Sequence, residues 1–204
     1  MLEAQTVFVV DDDAAVRDSI AELVTSVGLR AETYESASGL LDAYQPDRPG
    51  CLILDVRMAG MSGLVLQQRL NARGATIPVI VLSGHGDVPM AVEAMKAGAV
   101  DFLQKPYRDQ HLLDSINAAL SMDAAARCSN GIAQSFIQCR GTLTERELEV
   151  LDLVLVGRTS KEIARALAIS PRTAEVHRRN LLRKFGVGSA KDLLSLAAFS
   201  GLRT

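Results

Sequence analysis

The chain has 204 residues, 48% hydrophobic and 23% charged, enough apolar material to fill one or two cores. No apolar stretch approaches the roughly 18 residues of a membrane span, the start MLEAQTVFVVDDD has no basic region of a signal peptide, and Cys51, Cys128 and Cys139 lie outside any CxxC spacing, so a reducing, cytoplasmic setting is expected rather than a disulfide framework. The net charge of −2 divides unevenly, with 11 Lys+Arg against 17 Asp+Glu in residues 1–141 and 11 against 7 in residues 142–204, so an acidic half precedes a basic half and different partners are expected.

Thr6–Val10 is an apolar, β-branched run that reads as a strand and stops on Asp11, Asp12 and Asp13. Packed together these carboxylates repel, and away from water each is costly to keep ionised. Either they are solvated or something positive sits among them. Helical spacing follows over Ala14–Val27, then a weaker strand at Ala31–Tyr34 and a helix at Ala37–Tyr44. A third strand, Cys51–Asp55, ends on another carboxylate and leads to a helix at Gly63–Arg73. Strand Pro78–Leu82 is followed by Ser83 and a helix at Val88–Ala97; strand Ala99–Gln104 is followed by Lys105 and a helix at Gln110–Met122. Strands alternating with helices of this length predict βαβ units. Residues 1–122 are therefore expected to form an α/β domain with a five-stranded, doubly wound parallel sheet of flavodoxin-like order.

The stretch SMDAAARCSNGIAQSFIQCRG is small, polar and without a clear period. Residues 123–141 are read from it as a linker, in part a continuation of the preceding helix. From Thr142 the pattern is helical only, predicting a small all-α domain over 142–204. Thr144 and Glu147 make a capping box for a helix over Glu145–Val156 that Gly157 stops. Ser160 is expected to cap a short helix to about Leu167. Ser170-Pro171 opens a longer helix to Phe185, stopped by Gly186, and a last helix spans about Ala190–Phe199.

Ligands of doubly wound sheets sit beyond the carboxyl ends of the strands where strand order reverses. Asp11 and Asp12 end the first strand and Asp55 the third, so the three carboxylates are expected to converge on a hard divalent cation, Mg2+. Ser83 adds a hydroxyl and Lys105 a cation at the same edge. That is what a phosphoryl group needs: neutralised oxygens, a hydrogen bond, and a carboxylate nucleophile.

"VVDDD", "LILDVRM" and "VIVLSGHGDVPMAVEAMKAGAVDFLQKPY" together resemble the receiver domain of two-component response regulators, in its FixJ-like branch, over residues 5–122. The resemblance implies that Asp55 is the phospho-acceptor, and that Asp11 and Asp12 hold Mg2+ with the backbone carbonyl of Arg57. It implies that Ser83 and Lys105 bind the phosphoryl group, that Phe102 is the aromatic that moves with Ser83, and that the Lys105–Pro106 bond is cis. One departure is Ala59, where the family pattern reads Arg-Met-Pro after the acceptor. His85 is read as a loop residue without proton transfer, Cys51 as a packed hydrophobe, and Met90 and Met95 as packing or a partner face. A dehalogenase-type phosphatase, with the pattern Asp-x-Asp-x-Thr/Val, is the alternative from another class. Here Ala15 stands at its last position, and such enzymes need more chain for a cap and a second acidic motif.

In the basic half, short helix, tight connection at Ala168-Ile169 and longer helix make a helix-turn-helix pattern, whose second helix enters the major groove. Residues 171–185 hold five Lys/Arg against Glu175. Arg172, Thr173, Glu175, Val176 and Arg179 are expected near bases; Lys161, Arg178, Arg183 and Lys184 are expected at phosphates. Ala174, Leu181, Leu182 and Phe185 form the packed side, and His177 is read as a packed or bracing residue. "LTERELEVL" and "SKEIARALAISPRTAEVHRRNLLRKFGV" resemble the LuxR/FixJ-type DNA-binding domain over 142–200; sigma-factor region 4 has a related pattern but no attached receiver. Together the two resemblances imply a phosphorylation-activated transcriptional regulator and not an enzyme. Its expected partners are a sensor histidine kinase, double-stranded promoter DNA, a second copy of itself on phosphorylation, and RNA polymerase, with no membrane.

Overall fold

The computed structural model describes residues 5–84 and 88–200; the reading of His85 lies outside the described residues. Two compact units divide the chain, Met1–Ala125 and Ala126–Thr204.

In the first unit the strands are β1 (Thr6–Val10), β2 (Arg30–Tyr34), β3 (Gly50–Asp55), β4 (Val79–Ser83) and β5 (Asp101–Gln104). Among the described residues they form one sheet in the order β2-β1-β3-β4-β5, and each pairing is parallel. Helices α1 (Ala14–Ser26), α2 (Ala37–Ala43), α3 (Gly63–Ala72), α4 (Val88–Lys96) and the start of α5 (Asp109–Gly141) alternate with them. Because side chains alternate across a strand, each strand feeds two layers. Phe8, Val10, Leu52, Leu54 and Val81 pack with Leu40, Leu66, Leu70 and Ala94 of α2, α3 and α4. Val7, Val9, Ile53, Ile80 and Leu82 pack with Ile20, Val24, Leu112 and Ile116 of α1 and α5. The weaker strand signal of β2 has its cause in this layout, since β2 lies at an edge and is half-exposed.

Residues 123–141, read from the sequence as a linker and in part a continuation of the preceding helix, continue that helix. They are helical throughout, inside α5. Asp123 is 1% exposed and accepts a hydrogen bond from the Gly50 amide at 2.9 Å, which ties the helix to the start of β3. Phe136 is fully buried in the core of the second unit. A buried anchor in each unit thus makes helix of a stretch that lacks a continuous apolar face.

The second unit adds α6 (Glu145–Leu155), α7 (Ser160–Ala166), α8 (Pro171–Lys184) and α9 (Ala190–Phe199). Thr144 and Glu147 form the expected capping box. At α7 the cap is Thr159, not Ser160: Thr159 and Glu162 form a second capping box. Ser170 caps α8, with Pro171 in its first turn. Val150, Leu151, Val154, Ile163, Ala174, Leu181 and Leu193 close the core with Phe136.

Candidate functional site

The carboxyl ends of β1 and β3 are adjacent because Val10 pairs with Leu54. Asp11 and Asp55, the next residues along each strand, are 2% and 6% exposed, and Asp12 is exposed. One carboxylate oxygen from each of Asp11, Asp12 and Asp55 lies within 4.8 Å of the others. Gly63 makes room for α3 at this edge: a Cβ there would meet the Asp55 carbonyl oxygen at 2.2 Å, so any larger residue would push α3 off β3.

Lys105, one residue beyond β5, reaches both buried acids. Its Nζ lies 2.6 Å from Asp11 Oδ2 and 2.7 Å from Asp55 Oδ1. The positive charge demanded by the carboxylate cluster is therefore, in part, the chain's own. Burial pushes the Asp55 carboxyl above its ordinary value, against the pull of Lys105. The Lys105 ammonium is opposed by burial, yet its bonds to Asp11 and Asp55 carry it above its ordinary value. It stays protonated. The Lys105–Pro106 bond is cis.

Three further carboxylate oxygens are oriented by amides. Asp13 N–H donates to Asp11 Oδ1 at 2.9 Å, Arg57 N–H to Asp55 Oδ2 at 2.7 Å, and Ala59 N–H to Asp12 Oδ2 at 3.0 Å. Each bond uses one lone pair and leaves another on the same oxygen. Three hard oxygen donors with spare lone pairs, two of them buried and one open to water, fit a hydrated Mg2+ ion, which keeps several waters and takes few carboxylates. Asp11, Asp12 and Asp55 can hold it. Arg17 was not singled out from the sequence; its guanidinium donates to the Asp11 carbonyl oxygen at 2.7 Å and fixes the turn after β1. Its position one helical turn into α1 carried no signal of that reach.

Ser83 ends β4 and is fully buried. Phe102, on the neighbouring β5, pairs with Val81 and is half-buried against the α2–α3–α4 layer.

On α8, Arg172, Thr173, Glu175, Val176, Arg179 and Arg183 are exposed, whereas Ala174 and Leu181 are fully buried and Leu182 and Phe185 pack on the core. Arg172, Glu175, Val176, Arg179 and Arg183 share one helical face. Lys161 is exposed on α7. Two of the residues expected at phosphates also make bonds within the domain. Lys184 Nζ lies 2.6 Å from Glu147 Oε2, so its ammonium also serves the domain's own packing. Arg178 Nη1 reaches the Arg158 carbonyl at 3.4 Å and Ser160 Oγ at 3.3 Å, bracing α8 against α7.

Comparison with known families and structures agrees with this division. Residues 7–117 match the response regulator receiver domain, and residues 141–197 match the luxR family of bacterial regulatory proteins. The chain belongs to the two-component response regulators. It joins a receiver domain to a LuxR-type DNA-binding domain, and it falls in the FixJ-like branch of transcriptional regulators. It is 49% identical to the transcriptional regulatory protein TdiR of Thauera aromatica over 94% of this chain and 84% of that one. It is 44% identical to the transcriptional regulatory protein FixJ of Azorhizobium caulinodans, covering 99% and 96%. Among solved structures, the response regulator StyR matches with a TM-score of 0.84 at 43% identity, over 96% of this chain and 98% of that one. Full-length FixJ from B. japonicum matches with a TM-score of 0.60 at 40% identity, covering 98% of both. Among the described residues no helix is long and apolar enough to cross a membrane.

Proposed function

We propose that Asp55 accepts a phosphoryl group from a partner sensor histidine kinase, and that the adduct switches this regulator to promoter binding. The observation that carries the reading is the Lys105 ammonium held at 2.7 Å from Asp55 Oδ1 and 2.6 Å from Asp11 Oδ2, at the meeting point of two strand ends. An Asp55 oxygen forms the new bond to phosphorus, the bond from phosphorus to the kinase histidine nitrogen breaks, and its electron pair leaves with that nitrogen. Lys105 supports the transfer by meeting a phosphoryl oxygen with its charge, and catalysis is positional and electrostatic. Bound Mg2+, held by Asp11, Asp12, Asp55 and the Arg57 carbonyl, would supply further neutralisation of the phosphoryl oxygens. Ser83 turns its hydroxyl to the new oxygens, and Phe102 moves into the space beside it. The α4–β5 surface then pairs two copies, which present two α8 helices to half-sites about one DNA turn apart, with RNA polymerase as a further partner at the promoter. Such partners, and three cysteines that are all free thiols, fit a cytoplasmic setting.

Intact mass after incubation with acetyl phosphate and Mg2+ tests the acceptor. A single phosphoryl adduct is expected, absent in Asp55→Asn; an adduct that survives the substitution would overturn the assignment.

For DNA, Arg172, Thr173, Glu175, Val176 and Arg179 face bases, while Lys161 and Arg183 meet phosphates. Arg183→Ala should weaken binding to cognate and random DNA alike and lower the salt slope by about 1. Arg172→Ala should cost about 1–3 kcal/mol on the cognate site and relax specificity there. Equal losses on cognate and random DNA would remove Arg172 from the base contacts.

A further inference from the structure

Ser83 is fully buried at the end of β4, and its hydroxyl donates to the thioether sulfur of Met90 in α4, with Oγ and Sδ 3.6 Å apart. The backbone at Ser83 is pinned in the sheet, because its carbonyl accepts from the Lys105 amide at 2.8 Å. The hydroxyl therefore moves by rotation about the Cα–Cβ bond, between staggered positions. Met90 packs against the same apolar layer as Phe102.

We propose that Met90 is a resting partner of the Ser83 hydroxyl and tunes how readily that hydroxyl turns to the acceptor site. It is a positioning residue, and its role rests on the reading of Asp55 as acceptor and Ser83 as the group that meets the phosphoryl oxygens. The chemistry of the sulfur gives the device its balance. A thioether is a weak acceptor, so it gives the hydroxyl a defined place at rest without binding it strongly. A phosphoryl oxygen accepts a charge-assisted bond about twice as strong as a neutral one, so the exchange runs toward the acceptor once phosphorus is in place and not before. The unbranched Met side chain can then repack as Phe102 shifts, because it fills irregular gaps without strain.

The test is calorimetric titration of the full-length protein with beryllium fluoride, a phosphoryl mimic, in the presence of Mg2+. Met90→Leu keeps the volume and removes the acceptor; Met90→Gln offers a stronger acceptor. Leu is expected to tighten binding about two- to fivefold and Gln to weaken it by a similar factor, as one modest hydrogen bond allows. On a Ser83→Ala background both shifts should vanish. If the two substitutions move affinity in the same direction, or their effects survive Ser83→Ala, Met90 acts through packing alone and the proposal is overturned. The underlying reading fails separately: Asp55→Asn would then bind the mimic as well as the unsubstituted protein does, and the proposal would fall with it.

Discussion

Lys184 and Glu147 belong together through charge and geometry rather than sequence spacing. Glu147 closes the capping box of α6, accepting from the Thr144 amide at 2.9 Å, and the same oxygen takes the Lys184 ammonium at 2.6 Å. The Lys184 bond first, and the Thr144 amide second, hold the Glu147 carboxyl down at about 2, against an ordinary value of 4.5. A depressed carboxylate stabilises the fold while it is ionised. Its contribution is therefore complete above about 4.5 and fades as the pH falls toward about 2. The unfolding temperature of the second unit should drop across that window, read by calorimetry of the full chain. Glu147→Gln should flatten that part of the pH profile and cost about 1 kcal/mol or more at neutral pH. An unchanged acid profile in Glu147→Gln would mean that other carboxylates govern it.

Among the elements, the turn between α7 and α8 carries backbone strain. Ala168 has φ 51, in the left-handed region that a side chain pays to enter. Ala168→Gly should relieve about 1–2 kcal/mol of that strain and lose about 0.5–1 kcal/mol to the freer unfolded chain. The net gain of about 0.5–1 kcal/mol should raise the second unit's transition by a few degrees; a fall would show that the turn is not strained at Ala168. The sequence located this connection by the end of one helical pattern and the Ser170-Pro171 start of the next. It could not show the sign of φ, because Ala favours no turn type. The same contrast runs through the chain. Apolar runs ending on Asp11, Asp55, Ser83 and Lys105 made the sheet and the carboxylate–lysine cluster legible, since strand ends and charged side chains coincide there. The Thr159–Glu162 capping box was also legible, in the spacing of a hydroxyl and a glutamate three residues apart, yet the neighbouring Ser160 offered an equally good cap by composition. The Ser83–Met90 contact left no local mark, because it joins a strand end to a helix seven residues away in sequence.

For the whole molecule, the core of the second unit draws on residues upstream of 142. Phe136 of α5 is fully buried among Val150, Leu151, Ala174 and Leu181, with its ring centroid 4.9 Å from that of Phe185 at the end of α8. Cys139, one turn further on, donates from Sγ to the Lys184 carbonyl oxygen at 3.2 Å. These contacts hold the end of α8 from outside the stretch that sequence pattern assigned to DNA binding. Truncating a buried Phe to Ala costs about 3–5 kcal/mol, since the transfer energy is lost and a cavity remains. In the full chain, Phe136→Ala should therefore lower the second unit's calorimetric transition and weaken binding to all DNA sequences, because loosening α8 would disturb its proposed base and phosphate contacts together. Acetyl phosphate should still label Asp55, because the first unit's core holds its own residues. Were residues 123–141 only a connector, Phe136→Ala would leave both the transition and the DNA affinity unchanged. Loss of the Asp55 adduct instead would mean that the receiver depends on the second unit for its fold.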